Sequence, residues 1–157
     1  FTAQANEPPA ASFATLDTRN SHAVLDFDAA ADESAVFRGV ISSGYGGGGV
    51  NVRLIWAATS ATSGTCRWAV AWERIPAGTL DIDADSFATA NTTGATADAT
   101  SGETTETTIA FANGAEMDSL AVGEMFRLRV TRDADGTSGT DDMTGDAELL
   151  AVVVTEQ

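Results

Sequence analysis

Val50-Asn51-Val52-Arg53-Leu54-Ile55-Trp56 decides the fold: Val50, Val52, Leu54 and Trp56 fall on one side of an extended chain, and Asn51 and Arg53 on the other. Successive side chains of a strand point to opposite faces, so this period-two pattern describes a strand with one dry and one wet face. The same reading holds for Cys66-Arg67-Trp68-Ala69-Val70-Ala71-Trp72, where Cys66, Trp68, Val70 and Trp72 oppose Arg67, with Glu73 following on the wet side. Phe126, Leu128 and Val130 oppose Arg127 and Arg129, and Ala23, Leu25 and Phe27 oppose His22, Asp26 and Asp28. Strands with one dry face belong to antiparallel sheets packed on a common core.

Working outward, eight such segments emerge at about 12–18, 22–28, 35–41, 50–59, 66–75, 105–111, 124–132 and 147–155. Glycine- and serine-rich connections separate them, and the pattern predicts an all-β, antiparallel β-sandwich of eight strands in jelly-roll order. That order puts the first, eighth, third and sixth segments in one sheet and the second, seventh, fourth and fifth in the other, with Trp56, Trp68 and Trp72 clustered inside the second. Residues 12–157 form one domain, and 1–11, with Glu7-Pro8-Pro9, read as an extended N-terminal arm. The last segment, Leu149-Leu150-Ala151-Val152-Val153-Val154, is apolar on both faces and so is either central and covered or set against another subunit. The long connection 76–104 suits a crossing between sheets, with one helical turn over 85–90 and an irregular loop over 91–104.

The chain of 157 residues carries 23 acidic residues against eight arginines and no lysine, for a net charge of −15. Without clustered cations it has no means of releasing counterions from a phosphate backbone, and it repels anionic membranes, so neither nucleic acid nor a membrane is its partner. No run of 18 apolar residues is present. The lone Cys66 excludes an intrachain disulfide and, with its tryptophan neighbours, reads as a small buried hydrophobe.

Chemistry-bearing arrangements are sparse. His22 is the only histidine and has no identifiable nucleophile or orienting acid, so it reads as a surface histidine rather than a catalytic one. Asp81, Asp83 and Asp85 alternate in a turn and could converge on calcium, although the glycine and glutamate of a helix-flanked calcium loop are replaced by Ser86 and Thr92. Asp133, Asp135, Asp141 and Asp142 make a second acidic group in a hairpin connection. The glycine run 46–49 lacks the Lys-Ser/Thr of a phosphate loop and enters a strand, which makes it a flexible connection. Arg53, Arg67, Arg127 and Arg129 project from the wet face of what reads as one sheet. They suit docking against carboxylates of an identical neighbour, or pairing with Glu73 and other acids of the same chain.

Several runs also carry a likeness: HAVLDFD at 22–28, FRGV at 37–40, LIWAATSATSG at 54–64, WAVAWER at 68–74, DIDADSFA at 81–88, FRLRVTRDA at 126–134 and MTGDAELL at 143–150. Together they resemble a family of virion structural proteins of tailed bacteriophages. The resemblance implies a noncatalytic, cofactor-free building block on the outer surface of a particle, as head decoration, head fibre or tail component. It further implies a homotrimer, with major capsid or tail proteins as partners and the N-terminal arm for attachment. Two other readings share the sandwich: an extracellular carbohydrate-binding module drawing on Tyr45, Trp56, Trp68 and Trp72, and a subunit of an extracellular filament or surface layer. The module reading requires aromatic faces open to solvent, whereas the alternation turns all three tryptophans inward.

Overall fold

The computed structural model describes all residues from Phe1 to Gln157. Nine strands form: β1 (Thr15–Arg19), β2 (His22–Phe27), β3 (Glu33–Val40), β4 (Val50–Ala58), β5 (Thr65–Ile75), β6 (Asn91–Thr96), β7 (Thr105–Phe111), β8 (Met125–Arg132) and β9 (Ala147–Glu156). One sheet has the order β1-β2-β9-β4-β7 and the other β3-β8-β5-β6, all neighbours antiparallel. No helix is long and apolar enough to cross a membrane.

The antiparallel sandwich and its jelly-roll order are present, with the order displaced by one strand from the sequence reading. Counted from β2 to β9, the eight strands obey the rule: first, eighth, third and sixth in one sheet, second, seventh, fourth and fifth in the other. The displacement has two sources. β1 is an extra edge strand joined to β2 by a tight hairpin, its Arg19 paired with His22. β6 falls within the stretch expected to be irregular: Asn91-Thr-Thr-Gly-Ala-Thr carries no large apolar residue, because it is an edge strand pairing only with β5. The expected helical turn at 85–90 is instead irregular chain, with the Ala88 amide donating to the Trp72 carbonyl.

The three tryptophans therefore meet across the sandwich rather than within one sheet. Trp56 comes from β4, and Trp68 and Trp72 come from β5 in the facing sheet. Trp56 and Trp68 meet edge-on at 5.7 Å between ring centroids, Phe27 approaches Trp68 at 5.1 Å, and Phe126 approaches Trp72 at 4.8 Å. All three are fully buried in a single core of 29 residues, which also encloses Cys66. Burial of such large side chains stabilises by about 2–3 kcal/mol each. Trp56 donates from Nε1 to Thr107 Oγ1 at 2.9 Å, whereas the indole N–H groups of Trp68 and Trp72 have no partner.

The doubly apolar last strand has a local explanation. Opposite β4, Ile55 pairs with Ala151 and Trp56 with Leu149, so Leu150 is an extra, bulged residue. The bulge resets the parity: Ala147 and Leu149 face the core before it, and Val152 after it. β9 is central in its sheet, between β2 and β4, over its first half only.

Of residues 1–11, expected to be an extended arm, residues 1–7 are docked on the sandwich. Thr2 bridges Ala151, Phe1 and Val152 exchange backbone hydrogen bonds, and Ala3 is buried. The Phe1 ring packs 5.5 Å from that of Phe37, and Asn6 Oδ1 accepts from the Val36 amide. The glycine run is likewise anchored at its end: Gly49 has φ +100°, and a Cβ there would fall 2.5 Å from the Phe111 carbonyl oxygen, so only glycine fits.

Candidate functional site

Strand parity that buries Trp68, Val70 and Trp72 sends Arg67, Ala69, Ala71 and Glu73 to the outer face of the four-stranded sheet. The same parity on β8 sends Arg127, Arg129 and Thr131 there. Register aligns them in rows: Arg127 opposite Glu73 and Arg38, Arg129 opposite Ala71 and Val36, Thr131 opposite Ala69 and Ser34, with Thr92 of β6 opposite Ala69. Two alanines side by side in the middle of the sheet leave a depression. It is a cleft of about 320 Å³, floored by Ala69 and Ala71, walled by Thr89, Thr92, Thr131 and Arg129, and closed at one end by Asp32, Asp133, Thr137 and Ser138.

The sequence grouped four arginines on one sheet, and the structure brings three of them together. Arg53 belongs to β4 in the opposite sheet, where it pairs with Glu106 at 3.5 Å in solvent. The fates of the three differ. Arg67 donates to Thr92 Oγ1 and the Ser138 carbonyl oxygen, both at 2.6 Å, tying β6 and the 133–142 connection to β5. Arg127 Nη1 lies 2.8 Å from Glu73 Oε2, an ion pair not aligned as a hydrogen bond. Burial pushes the Glu73 carboxyl above its ordinary value, and Arg127 opposes the rise. Arg129 has neither ion pair nor hydrogen bond, although six of the eight arginines form ion pairs and Arg67 is hydrogen-bonded. Its guanidinium carbon stands 4.5 Å from the centroid of the Phe87 ring, which Arg127 approaches at 5.1 Å. Burial lowers the Arg129 pKa, against the pull of Glu73.

The acidic groups resolve differently from their spacing. Asp81, Asp83 and Asp85 do not converge: Asp81 Oδ1 accepts from the Asp83 amide within the turn, and Asp85 Oδ2 is enclosed without a hydrogen-bond partner. The one place where three such groups offer ligand atoms within 4.8 Å of one another is Asp32, Asp133 and Asp135, at the acidic end of the cleft. There, Asp133 Oδ1 accepts from Thr137 N and Oγ1, and Oδ2 from Ser138 N and Oγ, which hold its pKa below the ordinary value despite burial. Asp32 Oδ1 accepts from the Asp135 amide, so the group closes a loop on itself. Asp141 and Asp142 turn away: Asp141 binds Arg132, and Asp142 accepts from the Thr65 amide.

Other concavities offer less. A groove of about 680 Å³, lined by Phe1, Val40, Ile41, Tyr45, Phe126 and Val152 to Val154, is mostly apolar, and its one charged residue, Glu156, already accepts from the Gly46 amide. His22, exposed, borders a hollow of about 470 Å³ beside Arg19, Glu103 and Glu148, where Arg19 is committed to Glu148 and to the Ala58 carbonyl. Arg132 went unnoticed in the sequence although its parity with Phe126, Leu128 and Val130 places it on the inner face.

No family model and no curated protein matches the chain. Solved structures do. An arabinose-bound MgGH51 α-L-arabinofuranosidase aligns with 96% of this chain at 13% identity and a TM-score of 0.50; the chain spans only 23% of that protein. A family 35 carbohydrate-binding module from an environmental isolate aligns over 94% of this chain and 90% of its own, at 11% identity and a TM-score of 0.48. A family 16 carbohydrate-binding module aligns over 85% and 77%, at 10% identity and a TM-score of 0.46. At these identities the likeness is one of fold alone.

Proposed function

We propose that the chain is a noncatalytic, extracellular carbohydrate-binding module that holds a glycan in the cleft on the outer face of the four-stranded sheet. The observation that carries this reading is the lining of that cleft: hydroxyls of Thr89, Thr92 and Thr131 and the free guanidinium of Arg129, above a floor of two alanines. Sugars present alternating hydroxyls and C–H faces, and such a surface meets both, with hydrogen bonds from the walls and van der Waals contact from the floor. The structural neighbours share only the fold with this chain, and the cleft is what supports the reading. The tryptophans take no part, since all three lie in the core. Retention on a panel of immobilised neutral and acidic glycans tests it. Wild type is expected to be retained by at least one, and Ala69→Tyr, which fills the cleft, is expected to pass through with its thermal unfolding unchanged. Passage of the wild type through every glycan refutes the reading.

A second reading, a subunit of an assembly such as a virion surface, is favoured by one observation. Beyond Val152 no strand pairs with β9 on the side away from β4, and this open edge runs beside the apolar groove at Val40 and Tyr45. Open edges are templates for strand addition. Light scattering tests it, with a trimer supporting the assembly and a monomer at all concentrations refuting it.

A further inference from the structure

Arg129 is set apart from every other cation in the molecule. With 23 acidic residues available, the fold places a carboxylate against six arginines and hydrogen-bonds a seventh, yet leaves this half-buried guanidinium without either. An unpaired, partly desolvated cation is costly, and its cross-strand neighbours Ala71 and Val36 are both buried and apolar, so neither supplies a counter-charge. Phe87 holds the guanidinium from one side without using its hydrogen-bond donors, which remain available in the plane of the fork.

We infer that the cleft recognises a carboxylate-bearing sugar, a uronic acid residue of an acidic glycan, whose carboxylate takes the in-plane donors of Arg129. The inference rests on the carbohydrate reading of the same cleft and names the class of ligand. A carboxylate matches the planar fork two bonds at a time. A phosphate or sulfate dianion suits the site poorly, because a single free arginine shares the cleft with Asp32 and Asp133. Those two carboxylates stand at the far end, where Asp32 can accept from sugar hydroxyls, while Thr131 and Thr92 serve as donors or acceptors between the ends. An acidic peptide is disfavoured because the cleft offers no apolar pocket for an anchoring side chain.

The test is a set of titrations at pH 7 and about 0.15 M salt, where the Debye length of about 8 Å screens the overall negative charge of the protein. The probes are digalacturonate, its methyl ester and neutral galactobiose, followed by calorimetry and by backbone amide shifts at Ala71, Thr92 and Thr131. The acid is expected to bind at least ~10-fold more tightly than the ester, and Arg129→Gln to erase that difference, as loss of a charge-assisted pair should. Arg129→Lys, which keeps the charge without the fork, should retain part of it. Circular dichroism and thermal unfolding of both variants exclude misfolding as the cause. Equal binding of acid and ester, unchanged in Arg129→Gln, overturns the inference while leaving the carbohydrate reading standing. A preference for the acid that survives Arg129→Gln overturns the assignment of the site. Failure of all three probes at millimolar concentration overturns the inference, and the glycan panel then decides the carbohydrate reading separately.

Discussion

Replacement of Arg132 by methionine tests how the sandwich is closed at one end. Arg132 is fully buried and is the only charged residue on the inner face of β8. All five of its N–H donors are used. Nε and Nη2 form a two-pronged pair with Asp141 at 3.0 and 2.9 Å, Nη2 also reaches the Met143 carbonyl at 2.8 Å, and Nη1 reaches those of Gly145 at 2.8 Å and Phe27 at 3.4 Å. One side chain thus fastens the connection before β9 to the ends of β8 and β2. Methionine roughly fills the volume but strands a buried carboxylate, and removing one partner of a buried pair costs about 3–5 kcal/mol. Asp141 Oδ2 still accepts from the Arg67 amide at 2.9 Å, which places the expected loss nearer about 3 kcal/mol. With a urea m value of about 2 kcal/mol/M, the unfolding midpoint should fall by ~1.5 M. Arg132→Met/Asp141→Leu removes both charges and should recover more than half of that loss, because two apolar groups leave no stranded charge. Urea unfolding monitored by tryptophan emission reads both quantities. A midpoint shift below ~0.5 M for the single variant, or a double variant less stable than the single one, would refute the reasoning.

Asp26 predicts a pH effect of defined sign. Burial, then Asp146 and Glu148, raise its pKa from 3.8 to about 6. The folded chain then holds this proton more tightly than the unfolded one, so the contribution is greatest below about pH 4 and is lost as pH rises through 6. The full shift corresponds to ~3 kcal/mol, which partial solvent exposure reduces to about 1 kcal/mol. Asp26→Asn should therefore stabilise by about 1 kcal/mol at pH 7.5 and by little at pH 4, and an equal effect at both pH values in urea titrations would contradict this. Cys66 is fully buried, and burial pushes its thiol pKa upward. It should be inert to a disulfide reagent in the native state and react in proportion to the unfolded fraction as urea is added; rapid native labelling would show that the sandwich opens locally.

Parity along each strand was legible in the sequence because side-chain alternation is a local property of extended chain. It places Val50, Val52, Leu54 and Trp56, then Trp68, Val70 and Trp72, then Phe126, Leu128 and Val130 on inner faces, and the structure keeps every one of them there. Applied one residue pair further, the same parity puts Arg132 inside, which an assumption that charges lie outside conceals. Parity also sent Arg67, Arg127 and Arg129 outward together, so much of the cleft was readable as residue types on a face. Its depth was not, since that depends on Ala69 and Ala71 lying side by side with Arg129 and Thr131 through long-range pairing.

Sequence by itself thus determined the class of fold, the strand faces and the core. Only the tertiary structure decided which strands share a sheet, that Arg53 is parted from the other three arginines, that Asn91–Thr96 is a strand and that residues 1–7 are docked. The physical reason is the same in each case. A strand's inward face is written in its own residues, whereas its partners are set by backbone hydrogen bonds to distant segments. An edge strand such as β6 is held by those bonds with little apolar signal of its own.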